Sequence, residues 1–385
     1  MRQTAQVPDV LVIGGGVIGL AIAREAARRD GRVTLVERGE AGREATWAAA
    51  GMLSPVVEAD GPGPFLDLAL RSAEAYPGWV EELEAESGAR VELRLCGKLC
   101  VARTEAEMGR LEGIRMLAER HGLRAERLGA LEVREIAPPV GASVRGGLLL
   151  HDDGRVDGRA LVHALRGSLE RAGVELRERT EAVGVEWRGG DAVVRLADGS
   201  SLAAGTVVLS AGAWSGRVGG LPDRLPIRPI RGQMLSLSPT AMALDRVVES
   251  GDVYLVPRDD GRILVGATME DAGFVKAITA EGVSGLLRAA FELCPDLAEA
   301  EIVDMWAGLR PATPDRLPVL GPVAGTEGRL VVATGHFRNG ILLAPVTALA
   351  VAEILTEGTS DLLPSDTSPN RFGHTAAARR TGLTE

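Results

Sequence analysis

The chain opens on an unbroken apolar run, Val10-Leu11-Val12-Ile13, which stops at Gly14-Gly15-Gly16 and gives way to a stretch with helical spacing of its apolar positions. A second apolar run, Val33-Thr34-Leu35-Val36, ends on Glu37. Short runs without alternation predict strands buried on both faces, so strand, helix and strand form a βαβ unit of a parallel sheet. Helical periodicity returns over Phe65 to Glu86 and Glu105 to His121, with a strand expected between them over Val91 to Ala102. Residues 44–55 carry neither period. His151 to Asp157 reads as a turn, and Asp157 as the N-cap of a helix with Leu161, Leu165 and Leu169 on one face that stops at Gly173. Val174 to Trp187 and Ala192 to Leu196 read as strands, the second turning at Asp198-Gly199, and Thr206 to Gly212 and Leu330 to Gly335 as buried parallel strands. Residues 218–325 are expected to be strand-rich, Ile341 to Leu355 a buried helix, and the Ser-, Thr-, Pro- and Arg-rich chain beyond Gly358 disordered.

This order predicts a mixed α/β fold. A Rossmann-like nucleotide-binding domain in three pieces, residues 7–87, 152–217 and 326–358, is interrupted by a strand-rich substrate domain from residues 88–151 and 218–325, with a tail at 359–385. In the first βα turn Gly14 permits the tight turn and Gly16 lets backbone N–H groups approach a pyrophosphate. Gly19 lets helix and strand pack closely, and Val17 and Ile18 open a helix whose N-terminus favours phosphate. Glu37 stands where a carboxylate accepts both hydroxyls of an adenosine ribose, and it would repel the 2′-phosphate of NADP. An interrupted layout of this kind is more typical of FAD enzymes than of NAD dehydrogenases, a fold-level association.

Composition narrows the partners. The 385 residues are 45% hydrophobic with a formal net charge of -10, which repels a nucleic-acid backbone. Only Lys98 and Lys276 are lysines, so nearly all positive charge is Arg. Cys96, Cys100 and Cys294 form no CxxC pair and read as core thiols of a reducing compartment, and the five His are scattered, so no metal site is expected. The N-terminus shows no signal core, and the longest apolar segment is short and interrupted by Pro345 and Glu353, so no membrane span and a cytoplasmic location are expected.

Several longer motifs remain: DVLVIGGGVIGLAIA with Glu37, AAAGML at 48–53, SAGAWS at 210–215, RPIRGQM at 228–234, VYLVPR at 253–258, GATMEDAGF at 266–274, GLRPATPDRLPVLG at 308–321 and GHFRNGILLAP at 335–345. Together they make the chain resemble the D-amino-acid oxidase superfamily of flavoproteins and, within it, the bacterial glycine oxidases of thiamin biosynthesis. The resemblance implies noncovalent FAD, an amino-acid substrate, O2 as oxidant and a homo-oligomer, a tetramer. It places Arg38, Thr46, Met52, Val183, Gly212 and Trp214 around the cofactor. Small residues, Ala48, Ala49, Ala50, Gly51 and Gly232, would let backbone approach a flat ring. The N–H groups of Asn339, Gly340, Ile341 and Leu342, ahead of a helix, would face its pyrimidine edge. The family match points to Arg310 as the carboxylate anchor, assisted by Arg338 and by Tyr254, one of two tyrosines. Related sarcosine oxidases link their flavin through a Cys just before the TPD motif; Gly308 stands at that position here. The implied reaction is oxidative deamination of glycine, sarcosine or small D-amino acids by hydride transfer to the flavin, yielding H2O2 and an imine that feeds thiamin thiazole synthesis. No acid-base pair stands out, in keeping with chemistry governed by positioning. The alternatives are a D-amino-acid dehydrogenase that passes electrons to a quinone, and a flavin-binding protein without turnover.

Overall fold

Val10–Ile13 is buried along its whole length and pairs in parallel with Val33–Val36 on one side and Thr206–Leu209 on the other. In this computed structural model, which describes residues 9–188, 191–239, 244–251 and 253–372, those strands are the centre of a six-stranded sheet. Its order is Val319–Pro322, Leu330–Thr334, Thr206–Leu209, Val10–Ile13, Val33–Val36 and Glu175–Arg177, parallel except for the first strand. Side-chain alternation divides the central strand between two cores. Val10 and Val12 pack under a layer that includes the helices Val17–Ala27, Pro64–Ser87, Gly158–Arg171 and Ala344–Glu357, whereas Leu11 and Ile13 face the three-stranded meander Ala182–Arg188, Asp191–Leu196 and Ser201–Ala204.

A second, eight-stranded sheet runs in the order Ile302–Ala312, Arg228–Leu237, Ile263–Gly266, Val253–Pro257, Val247–Ser250, Lys98–Ala102, Gly146–Leu150 and Ala125–Gly129. One face packs on the helix Ala280–Leu293 through Leu235, Leu255, Val265, Leu286 and Ala290. The other carries Met234, Tyr254 and Trp306 toward Ala48 and Ala50. A small sheet of Met52–Leu53, Gly154–Val156 and Leu93–Arg94 joins the chain segments between the two large sheets.

The structure departs from the expected elements where local geometry overrides periodicity. Val91 to Ala102 is two strands, because Gly97 takes φ 78 and turns the chain at the step from Leu93–Arg94 to Lys98–Ala102. Val174 to Trp187 likewise divides, Glu175–Arg177 joining the six-stranded sheet and Ala182–Arg188 the meander. The turn expected over His151 to Asp157 contains the strand Gly154–Val156. Asp157 does cap Gly158–Arg171, its carboxylate accepting from the N–H groups of Arg159 and Ala160, worth about 1 kcal/mol. The helix expected from Ile341 begins at Ala344, since Leu343 N–H and Ala344 N–H close turns onto Asn339 and Ile341 carbonyls. The tail expected to be disordered is ordered through residue 372. Two 3-10 turns, Ser365–Thr367 and Pro369–Phe372, are fastened by the Arg371–Asp315 ion pair and by Asn370 to the Ala324 N–H and Pro322 carbonyl; residues 373–385 lie outside the described part. Val319–Pro322, in the stretch expected on the substrate side, pairs into the six-stranded sheet.

Candidate active site between the two large sheets

A cavity of about 1420 Å³ lies between the sheets, longer and larger than the roughly 300–1,000 Å³ that suits a drug-sized ligand. Its wall takes in all but two of the residues expected around the cofactor and substrate: Gly14, Gly16, Val17, Ile18, Glu37, Arg38, Thr46, Ala49, Ala50, Gly51, Met52, Val183, Gly212, Trp214, Gly232, Asn339, Gly340 and Ile341, together with Tyr254, Arg310 and Arg338. Gly19 and Leu342 stand behind it. Gly19 serves packing alone: a Cβ there would lie 1.9 Å from the Gly14 carbonyl oxygen. None of the three cysteines lines the cavity.

At the nucleotide end, Glu37 Oε2 accepts from Gly15 N–H at 2.7 Å and Oε1 from Gly39 N–H at 2.8 Å, so the carboxylate ties the glycine turn to its own loop and keeps a lone pair on each oxygen. Thr46 Oγ1 accepts from Val17 N–H at 3.0 Å. A Cβ on Gly16 would meet nothing closer than that hydroxyl at 3.5 Å, so space for a ligand, rather than contact with protein, accounts for glycine here. Arg38 stacks on Trp214 at 3.7 Å, Trp214 lies 5.4 Å from Phe274, and Arg217 covers Phe274 at 3.6 Å. Phe274 belongs to residues 267–279, a strap also held by Lys276 Nζ to Glu44 Oε2 at 2.8 Å and by the Arg231–Glu270 pair.

In the loop Ala48 to Met52, expected to face the flavin, and at Gly232, protein packing also calls for small residues. A Cβ on Gly51 would sit 1.9 Å from the Val156 carbonyl oxygen, and one on Gly232 2.3 Å from the Arg310 guanidinium. Protein neighbours alone require these two glycines to be small. At the opposite rim Asn339 N–H donates to the His336 carbonyl and is already used, while the N–H groups of Gly340 and Ile341 on the wall, and of Leu342 just behind it, find no protein acceptor among the described residues. Orphan donors at a cavity wall need an acceptor from a ligand. Behind them His336, buried and bonded to Thr347 Oγ1 at 3.1 Å, is pushed by burial down to about 3 and is neutral.

Trp306, Gly308 and Arg310 alternate onto one face of Ile302–Ala312, and Arg310 lies over Gly232 of the strand beside it. Arg310 Nη1 donates to the Thr268 carbonyl at 3.0 Å, and among the described residues no carboxylate pairs with it. Burial lowers its pKa against the opposing effect of Tyr254 beside it, and Arg338 adds repulsion. Burial likewise raises the Tyr254 phenol. Arg338 is answered: Nη2 donates to Glu58 Oε1 at 2.9 Å, and although burial works against its charge, Glu58 and Glu249 hold its pKa up.

Sequence reasoning did not find Glu58, Thr268, His336 or Glu249 on this wall. Glu249 stands opposite Tyr254 across the hairpin and 2.6 Å from Lys98 Nζ, both side chains buried. One signal was available, a rare lysine inside the apolar run KLCVA. The others have no pattern: a backbone carbonyl and single acids or histidines in loops.

Comparison with known proteins agrees with this layout. A family model described as FAD dependent oxidoreductase matches residues 9–354. The bifunctional protein ThiO/ThiG of Synechocystis sp. is 39% identical over 94% of this chain, which spans about half, 54%, of that relative's length. The glycine oxidase of Pseudomonas aeruginosa is 37% identical, covering 94% of this chain and 98% of its own. The crystal structure of glycine oxidase from Geobacillus kaustophilus superposes with a TM-score of 0.90 at 34% identity, covering 94% of this chain and 98% of the other.

Proposed function

The chain belongs to the family of FAD dependent oxidoreductases, and from that premise we propose that it oxidises glycine, with sarcosine or small D-amino acids as lesser substrates, using O2. Gly16, Glu37, the helix N-terminus at Val17 and the free N–H groups of Gly340 to Leu342 would hold FAD. Bound there without a covalent link, FAD supplies the acceptor for the two electrons lost with the substrate Cα–H.

The observation that carries the reading is Arg310, a guanidinium over Gly232 that no carboxylate among the described residues answers. A half-buried cation without a counter-charge is costly, and a bidentate ligand carboxylate relieves that cost. Tyr254 and Arg338 flank the same carboxylate and fix the substrate by one end. The N–H donors at 340–342 stabilise negative charge developing at the cofactor edge. Because the chain's part is to orient, the amine enters deprotonated and no side chain need take a proton from Cα. The net change is glycine to its imine and O2 to H2O2, and the imine is suited to thiazole assembly. We further propose a cytoplasmic homo-oligomer. No helix among the described residues is long and apolar enough to cross a membrane, and Ile302, Val303 and Met305 expose an apolar sheet edge suited to a second copy.

The test is anaerobic addition of glycine to the yellow protein, followed by air. Bleaching, recovery of colour and one H2O2 per glycine are expected. Bleaching that air does not reverse would make it a dehydrogenase with another acceptor. A flavin unmoved by glycine, sarcosine and D-alanine would leave a binding protein.

A further inference from the structure

The loop Ala48-Ala49-Ala50-Gly51 has no polar side chain with which to fix itself, yet it lines the cavity opposite the sheet face that carries Met234, Tyr254 and Trp306. Two buried donors from the eight-stranded sheet hold its backbone. Trp306 Nε1–H donates to the Ala48 carbonyl at 3.1 Å. Arg258 Nη2 donates to the Ala50 carbonyl at 2.8 Å, while its Nη1 reaches the Val156 carbonyl at 3.4 Å, and Val156 N–H in turn donates to the Gly51 carbonyl at 2.8 Å. Both residues are 6% exposed.

Their places in the sheet relate this hold to the substrate anchor. Trp306 precedes Arg310 by four residues in Ile302–Ala312, and Arg258 follows Tyr254 by four residues in the strand Val253–Pro257 and the residue after it. Through Arg228–Leu237 and Ile263–Gly266 these two strands run in opposite senses, so in each the substrate-facing residue lies nearer the same end of the sheet. Four residues of strand set a fixed separation of about 13 Å in each case. The same two rigid strands therefore carry what grips the substrate and what grips the flavin-facing loop.

We propose that Trp306 and Arg258 are positioning residues that fix the flavin-facing loop against the Arg310 and Tyr254 anchor, and so set how closely the substrate Cα approaches the cofactor. This rests on the amino-acid oxidase reading for its substrate, but not for its effect on the flavin. Trp306 also packs edge-on against Trp47 at 5.7 Å, which Phe at this position preserves while losing the donor.

The experiment compares Trp306→Phe, Arg258→Met and Arg258→Lys with the parent chain, each loaded with FAD. Three quantities are read: the visible spectrum of the bound flavin, the FAD dissociation constant of the apoprotein, and the rate constant and glycine Kd of anaerobic bleaching. Displacement of reacting groups by about 1 Å costs up to a hundredfold. Trp306→Phe and Arg258→Met are expected to bleach about ten- to a hundredfold more slowly with glycine Kd unchanged, and to shift the flavin band, with Arg258→Lys recovering part of both. A bleaching rate and band matching the parent in folded Trp306→Phe overturn the proposal, as does a loss confined to glycine affinity. Should Arg258→Met not fold, Trp306→Phe decides. Should glycine bleach none of the proteins, the oxidase reading fails, and the band and FAD dissociation constant of Trp306→Phe still decide the loop: shifted values support it and parent values overturn it.

Discussion

Arg310 differs from three of its neighbours on the cavity wall in what surrounds it: Arg338 has Glu58, Arg231 has Glu270 and Arg38 has Glu44, but Arg310 has a carbonyl. Arg310→Lys keeps the charge and loses the fork, and Arg310→Ala loses both. Loss of a charge-assisted pair in a desolvated site costs about 2–5 kcal/mol, so kcat/KM for glycine should fall on the order of a hundredfold or more while FAD stays bound. Near-normal turnover of glycine by Arg310→Ala would move the anchor to Arg338. His336 gives a pH prediction. Its native pKa of about 3 lies below the ordinary 6.5, so between these values the unfolded chain takes up a proton that the native state refuses. Stability from this group is present above pH 6.5 and falls by up to about 1.4 kcal/mol per pH unit as the solution is acidified. Asp153, pushed by burial up to about 7, acts in the opposite sense over part of that range, so the comparison is with His336→Gln in urea titrations. The variant should lose stability less steeply from pH 6.5 to 5; equal slopes would show that the imidazole is protonated in the native state. Arg310 and Tyr254 were legible because a motif and a rare residue mark them. The partners that define Arg310, a backbone carbonyl and the absence of an acid, exist only after folding.

The strap at residues 267–279 lines the cavity with its two ends and packs Phe274 against Trp214, the ring on which Arg38 stacks. It crosses from the eight-stranded sheet to rest Phe274 between Trp214 and Arg217. An aromatic pair contributes about 0.5–1.5 kcal/mol and a cation above a ring about 0.5–1 kcal/mol. Phe274→Ala should therefore release FAD roughly five- to fiftyfold faster, read as the return of free-flavin fluorescence on dilution, with glycine Kd unchanged; an unaltered release rate would assign FAD retention to the loops below. Elements with clean periodicity, such as Pro64–Ser87 and Glu105–Arg120, were legible from the sequence to within a residue or two. Ala280–Leu293 was not, although Thr279 caps it and Leu286, Ala290 and Leu293 share its buried stripe, because glycines and alanines dilute the pattern among strands. The break at Gly97 was hidden for another reason: its N–H donates to the carbonyl of the distant Asp153, while the break ahead of Ala344 comes from local turns that hydrophobic spacing does not register.

At the scale of the molecule, the six-stranded sheet is assembled from stretches spread along most of the chain, and the eight-stranded sheet from the stretches between. Its central strand Val10–Ile13 has its partner at Thr206–Leu209, and that strand has its own at Leu330–Thr334. The cavity wall likewise needs both Gly16 and Asn339. A chain ended after Arg329 should bind no FAD and aggregate through the uncovered edge of Thr206–Leu209; recovery of a yellow, soluble fragment would show that the early strands close a site unaided. During translation every copy passes through that truncated condition. With synthesis at about 5–20 residues per second, the interval between emergence of Thr206–Leu209 and of Leu330–Thr334 is on the order of ten seconds, far longer than hydrophobic collapse takes. A nascent chain on the ribosome thus carries an unpaired apolar strand for that interval, while the part of the cavity wall at Asn339 is still unmade.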